Sequence, residues 1–575
     1  MKRFRKKILG LFAVITMLLL SAELVHAATI AVDTTVDENP MVNNGRCSLR
    51  EALHNANNDG TPPDEPDCAA GDGDDVIDLR GLSGTLDLLA SLSALTTNLT
   101  ILGPGASLLT IRAGGAYRIF DTASASLNLN ISGLTLTNGA PSAGGGGAIF
   151  VEPTDTMNLT DCVITGNNLS TNQGGGIQNK GTLIIDRCLI ADNHITAGTG
   201  EGGGIVSEGD LTVRNSAIVG NSLTNSNNGG GIKISNGSLN LVNSTVSGNS
   251  ANGGGGLYIT ALSTPVTVKI LSSTITDNHA TAGEGGGLAM SAATASDISV
   301  TVQNSILAGN TAFIEGADCT DDNGLSGTVV SQGFNLLGID DQCSGEFDGT
   351  GDKIGTLASP LNPRLSALAD NGGPTPSHAL QAGSPAIDGG NPSGCRDENG
   401  LLLGLDQRGF SRNGDGDANG SAVCDIGAFE NACGDGRVTL GEDCDDGDAN
   451  SDTQPNACRS SCQAAACGDG VVDAGEACDD GNLTSGDGCE ATCALPSCGN
   501  AVVDPGEDCD DGNADDQDAC SNTCLDNAAG ATGGSGGGCR LGSKGTPAGP
   551  LAFGFGLLLL AALRLASRRG ESGRE

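Results

Sequence analysis

Residues 229–249 read GGGIKISNGSLNLVNSTVSGN. A glycine run is followed by an aliphatic residue, a short polar segment, a strand in which apolar and polar residues alternate, and an asparagine. The same order of features occurs six times between Gly144 and Asn310. The runs end at Gly147, Gly176, Gly204, Gly231, Gly256 and Gly287, and the closing asparagines are Asn167, Asn193, Asn221, Asn249, Asn278 and Asn310. A period of about 25 to 32 residues predicts a solenoid, whose repeats bury their apolar faces only by stacking.

The strands inside the repeats alternate apolar and polar residues, as in 239–246, and no segment keeps a helical period. Glycine and asparagine recur once per repeat, which favours a parallel β-helix over an array of hairpins. We expect the asparagines to form a hydrogen-bonded ladder and the glycines to occupy tight or positive-φ corners. The predicted fold is all-β: a right-handed, pectate-lyase-like parallel β-helix followed by small disulfide-rich modules.

Composition limits both the core and the partners. The 575 residues include 91 Gly, no Trp and 2% aromatic residues, so the core has to come from small and aliphatic side chains at close backbone spacing. A formal net charge of −41 argues against nucleic acid and anionic membrane, because the protein repels polyanions. Cations are the expected small partners.

The N-terminus has the three parts of a secretory signal. A basic segment at 2–7 precedes an apolar run from Ile8 to Leu20, and small residues end at Ala27. We predict a signal peptide at residues 1–27. Export also accounts for the 21 cysteines, which are hard to keep paired in a reducing cytosol.

Outside the C-terminal third, the cysteines fall into predicted disulfide pairs. Three pairs bracket loops: Cys47 with Cys68, Cys319 with Cys343, and Cys395 with Cys424. Cys162 and Cys188 each stand five residues before a repeat asparagine, in a slot that later repeats fill with Ser216, Ser244, Ser273 and Ser305. Stacked coils lie about 4.8 Å apart, a separation that a disulfide tolerates, so a Cys162–Cys188 bridge is predicted.

The two ends of the repeat region resemble known families. The segment 47–53 (CSLREAL) is similar to the motif of the CSLREA domain of secreted bacterial β-helix proteins. Segments 370–380, 383–388, 406–409 and 425–430 resemble the choice-of-anchor Q domain, so the resemblance covers roughly residues 28–430. The resemblance implies a right-handed β-helix that ends at these segments. It also implies that the protein is displayed on the cell surface, and it implies no reaction.

Three cysteine-rich modules follow, at residues 433–462, 467–493 and 498–524. Units of this size cannot bury enough core to fold alone, so four cysteines imply two disulfides per module, with the connectivity open. Zinc is the weaker alternative, because the modules have C-x3-C sets without C-x2-C pairs or histidines, in a chain predicted to be exported. The cysteines are Cys433, Cys444, Cys458 and Cys462; Cys467, Cys478, Cys489 and Cys493; and Cys498, Cys509, Cys520 and Cys524.

Each module also carries an acidic turn, and the modules resemble the Myxococcus cysteine-rich repeat. Carboxylates clustered beside a glycine turn suit calcium, although a solvated acidic surface explains them equally. The predicted ligands are Glu442, Asp445, Asp446 and Asp448; Glu476, Asp479, Asp480 and Asn482; and Glu507, Asp510, Asp511 and Asn513.

The C-terminal tail has the parts of a sorting signal. A flexible linker at 528–538 precedes Cys539, an apolar run and an arginine cluster within 539–575. This order resembles the tails that bacterial sorting proteases recognise, and the alternative is a plain membrane anchor. We expect export, with the protein held at the cell surface or outer membrane by this tail or its processed form.

The function expected from the sequence is non-enzymatic binding or adhesion, with a glycan or protein as the ligand on the β-helix. The alternative is a polysaccharide lyase or hydrolase. A hydrolase needs two carboxylates that face one sugar, and a lyase needs a strong base beside calcium-bridged carboxylates. A flat Asn/Ser/Thr face would favour binding. No residue is predicted to be catalytic, and the polar candidates considered are Asp161, Asp186, Arg187, Lys233, Lys269, Asp321, Asp322, His279 and His378.

Overall fold

The structure is a computed structural model that describes residues 27–525, except 60–62, 124, 171–172, 225–226, 262–263, 293–296, 322–327, 341–342, 344, 382, 413, 415, 417–420, 432, 435–437, 439–442, 461 and 514–519. The predicted signal peptide up to residue 26, the linker and the tail with Cys539 lie outside the described residues. The chain divides into two compact units, 1–482 and 483–575.

The first unit is built on a parallel β-solenoid of about nine turns, which confirms the predicted all-β architecture. Sheet A contains Thr29–Ala31 (β1), Asp75–Asp78 (β2), Leu99–Leu102 (β4), Asn128–Ser132 (β7), Thr156–Thr160 (β10), Thr182–Asp186 (β14), Asp210–Arg214 (β18), Ser238–Val242 (β22), Val266–Leu271 (β26), Ile298–Gln303 (β30), Thr328–Ser331 (β34) and Gly345–Glu346 (β36). Sheet B contains Gly84–Asp87 (β3), Leu109–Arg112 (β5), Thr135–Thr137 (β8), Val163–Thr165 (β11), Leu189–Ala191 (β15), Ala217–Val219 (β19), Thr245–Ser247 (β23), Thr274–Thr276 (β27), Ile306–Leu307 (β31), Leu336–Leu337 (β35) and Lys353–Ile354 (β37).

Two further sheets are formed by the central coils. Sheet C contains Asn168–Leu169 (β12), His194–Ile195 (β16), Ser222–Leu223 (β20), Ser250–Ala251 (β24), His279–Ala280 (β28) and Thr311–Ala312 (β32). Sheet D contains Phe120–Asp121 (β6), Ile149–Val151 (β9), Ile177–Asn179 (β13), Ile205–Ser207 (β17), Ile232–Ile234 (β21), Leu257–Ala261 (β25), Leu288–Ala292 (β29) and Cys319–Asp321 (β33). A coil runs from sheet A to B, C and D, and inward aliphatic side chains form one continuous core.

The predicted asparagine ladder is confirmed. At each turn from sheet B to sheet C, a residue in the left-handed region, such as Gly220 (φ 64°), precedes a fully buried asparagine. The Asn221 side-chain amide donates to Asn249 Oδ1 over 3.0 Å and to the Ile190 carbonyl over 2.9 Å. The ladder ends at Asp318, whose Oδ1 accepts the side-chain amide of Asn310 over 3.0 Å. Inward polar side chains are thereby satisfied inside an apolar core.

A second ladder occupies the turn from sheet A to sheet B. The backbone amide of Ser216 donates to Ser244 Oγ over 3.1 Å, and the same pattern recurs between successive coils. Cys162 and Cys188 stand in this ladder as free thiols, so the predicted bridge between them is not formed. Side chains stacked in register on parallel strands point the same way, whereas a disulfide needs β-carbons directed toward each other.

The N-terminal end of the solenoid is covered by one helix, Leu49–Asn58 (α1). Its first residue follows Ser48, whose hydroxyl accepts the Glu51 amide while the Glu51 carboxylate accepts the Ser48 amide. This reciprocal capping satisfies donors at the buried helix start. Arg50 forms a two-point ion pair with Asp37, and the Cys47–Cys68 disulfide fixes the segment.

The segment that follows the last rung, residues 360–431, folds back along the outer face of sheet B. Thr245 Oγ1 donates to Gln407 Oε1 over 2.6 Å, and the Ala428 amide donates to Thr274 Oγ1 over 3.1 Å. The family resemblance implied that these segments end the β-helix, whereas in the structure they cover its side. We call residues 360–431 the lateral cap. The Cys395–Cys424 disulfide lies in it, and Cys319–Cys343 bridges the last coils.

In the parts of the cysteine-rich modules that the structure describes, the regular structure is a 3-10 turn at Gly447–Ala449. The first module pairs Cys433 with Cys462 and Cys444 with Cys458. The third pairs Cys498 with Cys524 and Cys509 with Cys520, which is the same nesting. All four cysteines of the second module are also disulfide-bonded. Of the three connectivities open from the sequence, the structure therefore selects first to fourth and second to third in these two modules.

Among the described residues, no helix has the length and apolar character that a membrane span requires.

Candidate ligand-binding groove

The outer face of sheet D carries one column of side chains. Successive residues of a strand point to opposite faces, so the residue between two inward aliphatic residues points outward. The register aligns Phe150, Gln178, Val206, Lys233, Tyr258, Ala289 and Thr320 from one coil to the next. We call this column and the walls beside it the sheet D groove.

The glycine runs pack closely beside the outward column. Gly202 and Gly254 have φ of 66° and 58°, which favours glycine. A β-carbon on Gly202 would lie 2.3 Å from Val206 Cγ2, and one on Gly254 would lie 2.6 Å from Tyr258 Cβ. The runs therefore lie directly against the outward column, and only glycine fits there. Most of the column is buried, while Phe150 and Tyr258 stay partly exposed.

Phe150 lies in a cleft of about 510 Å³ near one end of the groove. The Arg118 guanidinium lies 5.0 Å from the ring centre and Lys180 Nζ lies 5.8 Å from it. Gln178 on the next coil donates to Glu208 Oε1 over 3.0 Å, and Lys180 Nζ lies 3.8 Å from the same oxygen. The cleft thus combines an aromatic face, an amide and a paired charge.

Tyr258 lies beside a second cleft of about 210 Å³. Its walls include Asn228, Asn252 and Glu284. Lys233 Nζ lies 5.6 Å from the tyrosine ring centre and forms an ion pair with Glu201. The lysine side chain is only 6% exposed, so this charge is held in place and neutralised by its partner.

The polar candidates considered from the sequence do not converge on one point. Arg187 bridges Asp161 and Asp186 at an exposed corner. Lys269, on sheet A, donates to the Glu398 carbonyl of the lateral cap. His279 contacts Thr311 Oγ1, whereas His378 belongs to the lateral cap and is buried between Ser247 Oγ of sheet B and the Ser366 carbonyl. Burial lowers the pKa of His378. Lys233 alone lies in the groove, Asp322 lies outside the described residues, and the side chain of Asp321 is not described.

The outer face of sheet A is rich in Thr and Asn. Its central column aligns Thr100, Asn130, Asn158, Ile184, Thr212, Asn240, Lys269, Thr301 and Val330. Neighbouring side chains bond to one another, as Asn158 Nδ2 does to Asn130 Oδ1 over 3.0 Å. This is the Thr/Asn surface that the sequence analysis associated with binding.

The lateral cap contains a buried ionic network. Asp406 pairs with Arg408, and Arg412 pairs with Glu430 while donating to Asn243 Oδ1 on the solenoid over 2.6 Å. Burial raises the pKa of Glu430 to about 7 despite the opposing effect of Arg412. Burial and the neighbouring Glu430 raise the pKa of Asp425 well above its ordinary value. These family-like segments fasten the cap to the solenoid.

The acidic turns of the modules mostly bind their own backbone. Asp510 accepts the amides of Gly499, Asn500, Ala501 and Gly512, and Asp479 occupies the same position in the second module. Desolvation acts to raise the pKa of Asp510, but these amide bonds outweigh it and the pKa is lowered. The first aspartate of each turn therefore has a structural task.

Most of the remaining predicted calcium ligands also accept hydrogen bonds from amides of their own module. Asp446 and Asp511 accept the amides of Cys458 and Cys520. Glu476 and Glu507 accept amides within their own turns. Asp445 accepts the amides of Gly434 and Gly447, Asp480 accepts the side-chain amide of Asn482, and Asn513 donates to Asp511. Glu442 lies outside the described residues, and the side chain of Asp448 is not described.

One group in the third module places ligand-type atoms within 4.8 Å of one another: Cys498, Glu507, Asp510 and Cys524. Cys498 and Cys524 form a disulfide with each other, so neither sulfur is the thiolate that metals bind. The group reduces to two carboxylates that already accept backbone amides. Calcium binding in the modules stays a prediction.

The comparison with known families covers only the cysteine-rich region. Residues 450–494 and 490–525 match a family described as Domain of unknown function (DUF4215). No curated protein and no solved structure gives a significant match to the chain. A cysteine-rich domain after the solenoid is therefore supported by both the family match and the structure.

Phe150, Gln178 and Tyr258 were not predicted as groove residues from the sequence. Their signal was present, because each comes directly after the inward aliphatic residue that follows a glycine run, with Ala148 as an additional residue before Ile149 in the first case. A large side chain in that position is notable in a chain with 2% aromatic residues and only two tyrosines.

Proposed function

We propose that this protein is a non-enzymatic binding protein of the cell surface, with the sheet D groove as its ligand site. One observation carries the proposal: the groove joins two partly exposed aromatic rings with amides and with lysine–carboxylate pairs that are already formed. Binding sites typically combine an apolar platform with a few placed polar groups. Hydrolysis or elimination needs a carboxylate or base directed at the substrate, whereas Glu201 and Glu208 face lysines.

The proposal includes export through the N-terminal signal and display through the C-terminal tail. The solenoid is suited to display, because stacked coils extend a surface without a large core. The disulfide-bonded modules fit an oxidising location outside the cytosol.

A combined binding and product assay tests the function. The full chain is immobilised and exposed to neutral glycans, acidic polysaccharides and extracellular proteins, and the flow-through is assayed for new reducing ends and unsaturated sugars. We expect retention of one ligand class without products. Product formation would show an enzyme instead, and failure to retain any class would overturn the binding role.

A further inference from the structure

We propose that the sheet D groove binds a linear, neutral glycan, with Phe150 and Tyr258 as two stacking platforms on one chain. This inference rests on the proposed binding function and names its ligand class. The two rings belong to the same outward column, separated by Gln178, Val206 and Lys233. Four rungs at about 4.8 Å place the platforms about 19 Å apart, so the ligand is a chain of several sugars.

The platforms match the apolar faces of sugar rings. Phe150 and Tyr258 are partly exposed, although their neighbours Gln178, Val206 and Lys233 are at most 5% exposed. A flat, partly exposed ring offers contact area at little conformational cost. The flanking runs 174–176, 202–204 and 229–231 consist of glycine, so these positions add no side chains beside the column.

The polar groups that line the two clefts match hydroxyl groups. Asn228 and Asn252 in the second cleft carry amides, which both donate and accept, as sugar hydroxyls do, whereas the side-chain nitrogen of Gln178 in the first cleft already donates to Gln173 and Glu208. The lysine and carboxylate of each ion pair add a fixed donor beside a fixed acceptor. Such a lining recognises a polyhydroxylated chain better than an apolar peptide.

The charge of the groove selects a neutral chain. Three cations, Arg118, Lys180 and Lys233, are balanced by Asp121, Glu208 and Glu201 in direct ion pairs. Glu284 adds a further carboxylate to the wall of the second cleft. The chain as a whole carries −41, so a polyuronate would meet repulsion both at a distance and in the groove.

Titration calorimetry with oligosaccharides of increasing length tests the inference on the full chain. The probes are cello-oligosaccharides and malto-oligosaccharides as neutral chains and oligogalacturonates as acidic ones. The variants are Phe150→Ala and Tyr258→Ala, with Tyr258→Phe retaining the ring and Asn240→Ala on sheet A as the control face. We expect a neutral series to bind, with affinity rising once the oligomer reaches both platforms.

Each alanine variant should weaken binding about tenfold, which is the magnitude of one aromatic contact. Asn240→Ala should bind like the parent chain, whereas Tyr258→Phe should recover most of the binding that Tyr258→Ala loses, because it retains the ring. Tighter binding of oligogalacturonate, or neutral binding that only Asn240→Ala reduces, would overturn the inference. If proteins are retained but no glycan binds, the ligand class is wrong while the binding role stands; if nothing is retained, both fail.

Discussion

The backbone amide of Cys162 donates to the sulfur of Cys188 over 3.3 Å, in the position where other coils place a serine hydroxyl. Each sulfur also contacts a carbonyl two residues earlier, as Ser216 Oγ contacts the Arg214 carbonyl. The cysteines therefore act as ladder residues, which leaves them reduced although the chain contains many disulfides.

Both thiols should resist alkylation in the folded protein and react after unfolding without reductant, because both are at most 1% exposed. Peptide mapping by mass spectrometry measures this directly. Cys47 and Cys68 serve as the control, since their peptides should stay linked. A linked peptide containing Cys162 and Cys188 would contradict the ladder assignment.

Asn221→Ala should destabilise the solenoid by about 3 kcal/mol or more, because it leaves the Asn193 amides and the Ile190 carbonyl without a buried partner. Denaturant unfolding and hydrogen exchange measure the loss. Asn240→Ala removes an amide of the same size from the outer face of sheet A, and a change within about 0.5 kcal/mol is expected there. Equal effects at the two positions would argue against the ladder as a source of stability.

The residue directly after the third cysteine has opposite charge in the first two cysteine-rich modules. Arg459 forms ion pairs with Asp469 and Asp473, whereas Glu490, which occupies the equivalent position, accepts a hydrogen bond from Asn500 over 2.9 Å. Arg459→Glu should therefore loosen the segment around 451–476, because two buried or half-buried carboxylates lose their cation.

Adding Asp469→Asn recreates the Glu–Asn arrangement and should restore part of the protection. Amide hydrogen exchange across 451–476 measures both variants. Asp469→Asn alone is the matched control. A double variant that is no more protected than Arg459→Glu would show that positions 459 and 469 do not have to match each other.

Lateral-cap stability should fall as pH rises from about 4.5 to about 7. Burial raises the pKa of Glu430 from 4.5 to about 7, so across this window the folded chain binds more protons than the unfolded chain. The expected loss is up to about 3 kcal/mol, from a shift of this size. Thermal unfolding at several pH values measures it, and Glu430→Gln should flatten the curve. A curve that stays equally steep in the variant would assign the effect to another group.

The acidic turns should respond in the opposite direction. Backbone amides hold the pKa of Asp479 and Asp510 below the ordinary value although desolvation opposes them, so their stabilising effect is present at neutral pH and lost as pH falls through the folded pKa. Hydrogen exchange at 499–501 against pH measures this for the third module. Asp510→Asn should remove the acid transition and loosen the turn at neutral pH, whereas an unchanged transition would exclude Asp510 as its source.

Much of the solenoid followed from sequence alone because its rules are local. The inward aliphatic residues, the corner glycines and Asn167 to Asn310 recur with the period of one coil, and stacking identical positions leaves few alternative registers. The position that most coils fill with serine could also be recognised from the sequence. That Cys162 and Cys188 stay unbridged there could not, because spacing gives the distance between two residues but not the direction of their side chains.

The groove and the cap could not be read from a periodic pattern. Phe150 and Tyr258 lie more than a hundred residues apart, and only stacking places them in one column. Asp425 and Glu430 look like surface acids until the lateral cap buries them with Arg412 and Asn243. The acidic turns resembled ion ligands because the sequence lists carboxylates without showing that Asp479 and Asp510 already bind backbone amides.

The sequence by itself determined the parallel β-helix, the asparagine ladder and a disulfide-rich end, since each depends on residues repeated at fixed spacing. Only the tertiary structure decided that the family-like segments cover sheet B, which thiols stay free and which outward side chains share a groove. Those outcomes depend on contacts between residues distant in the chain, whose geometry is set by how the coils stack and how the cap packs against them.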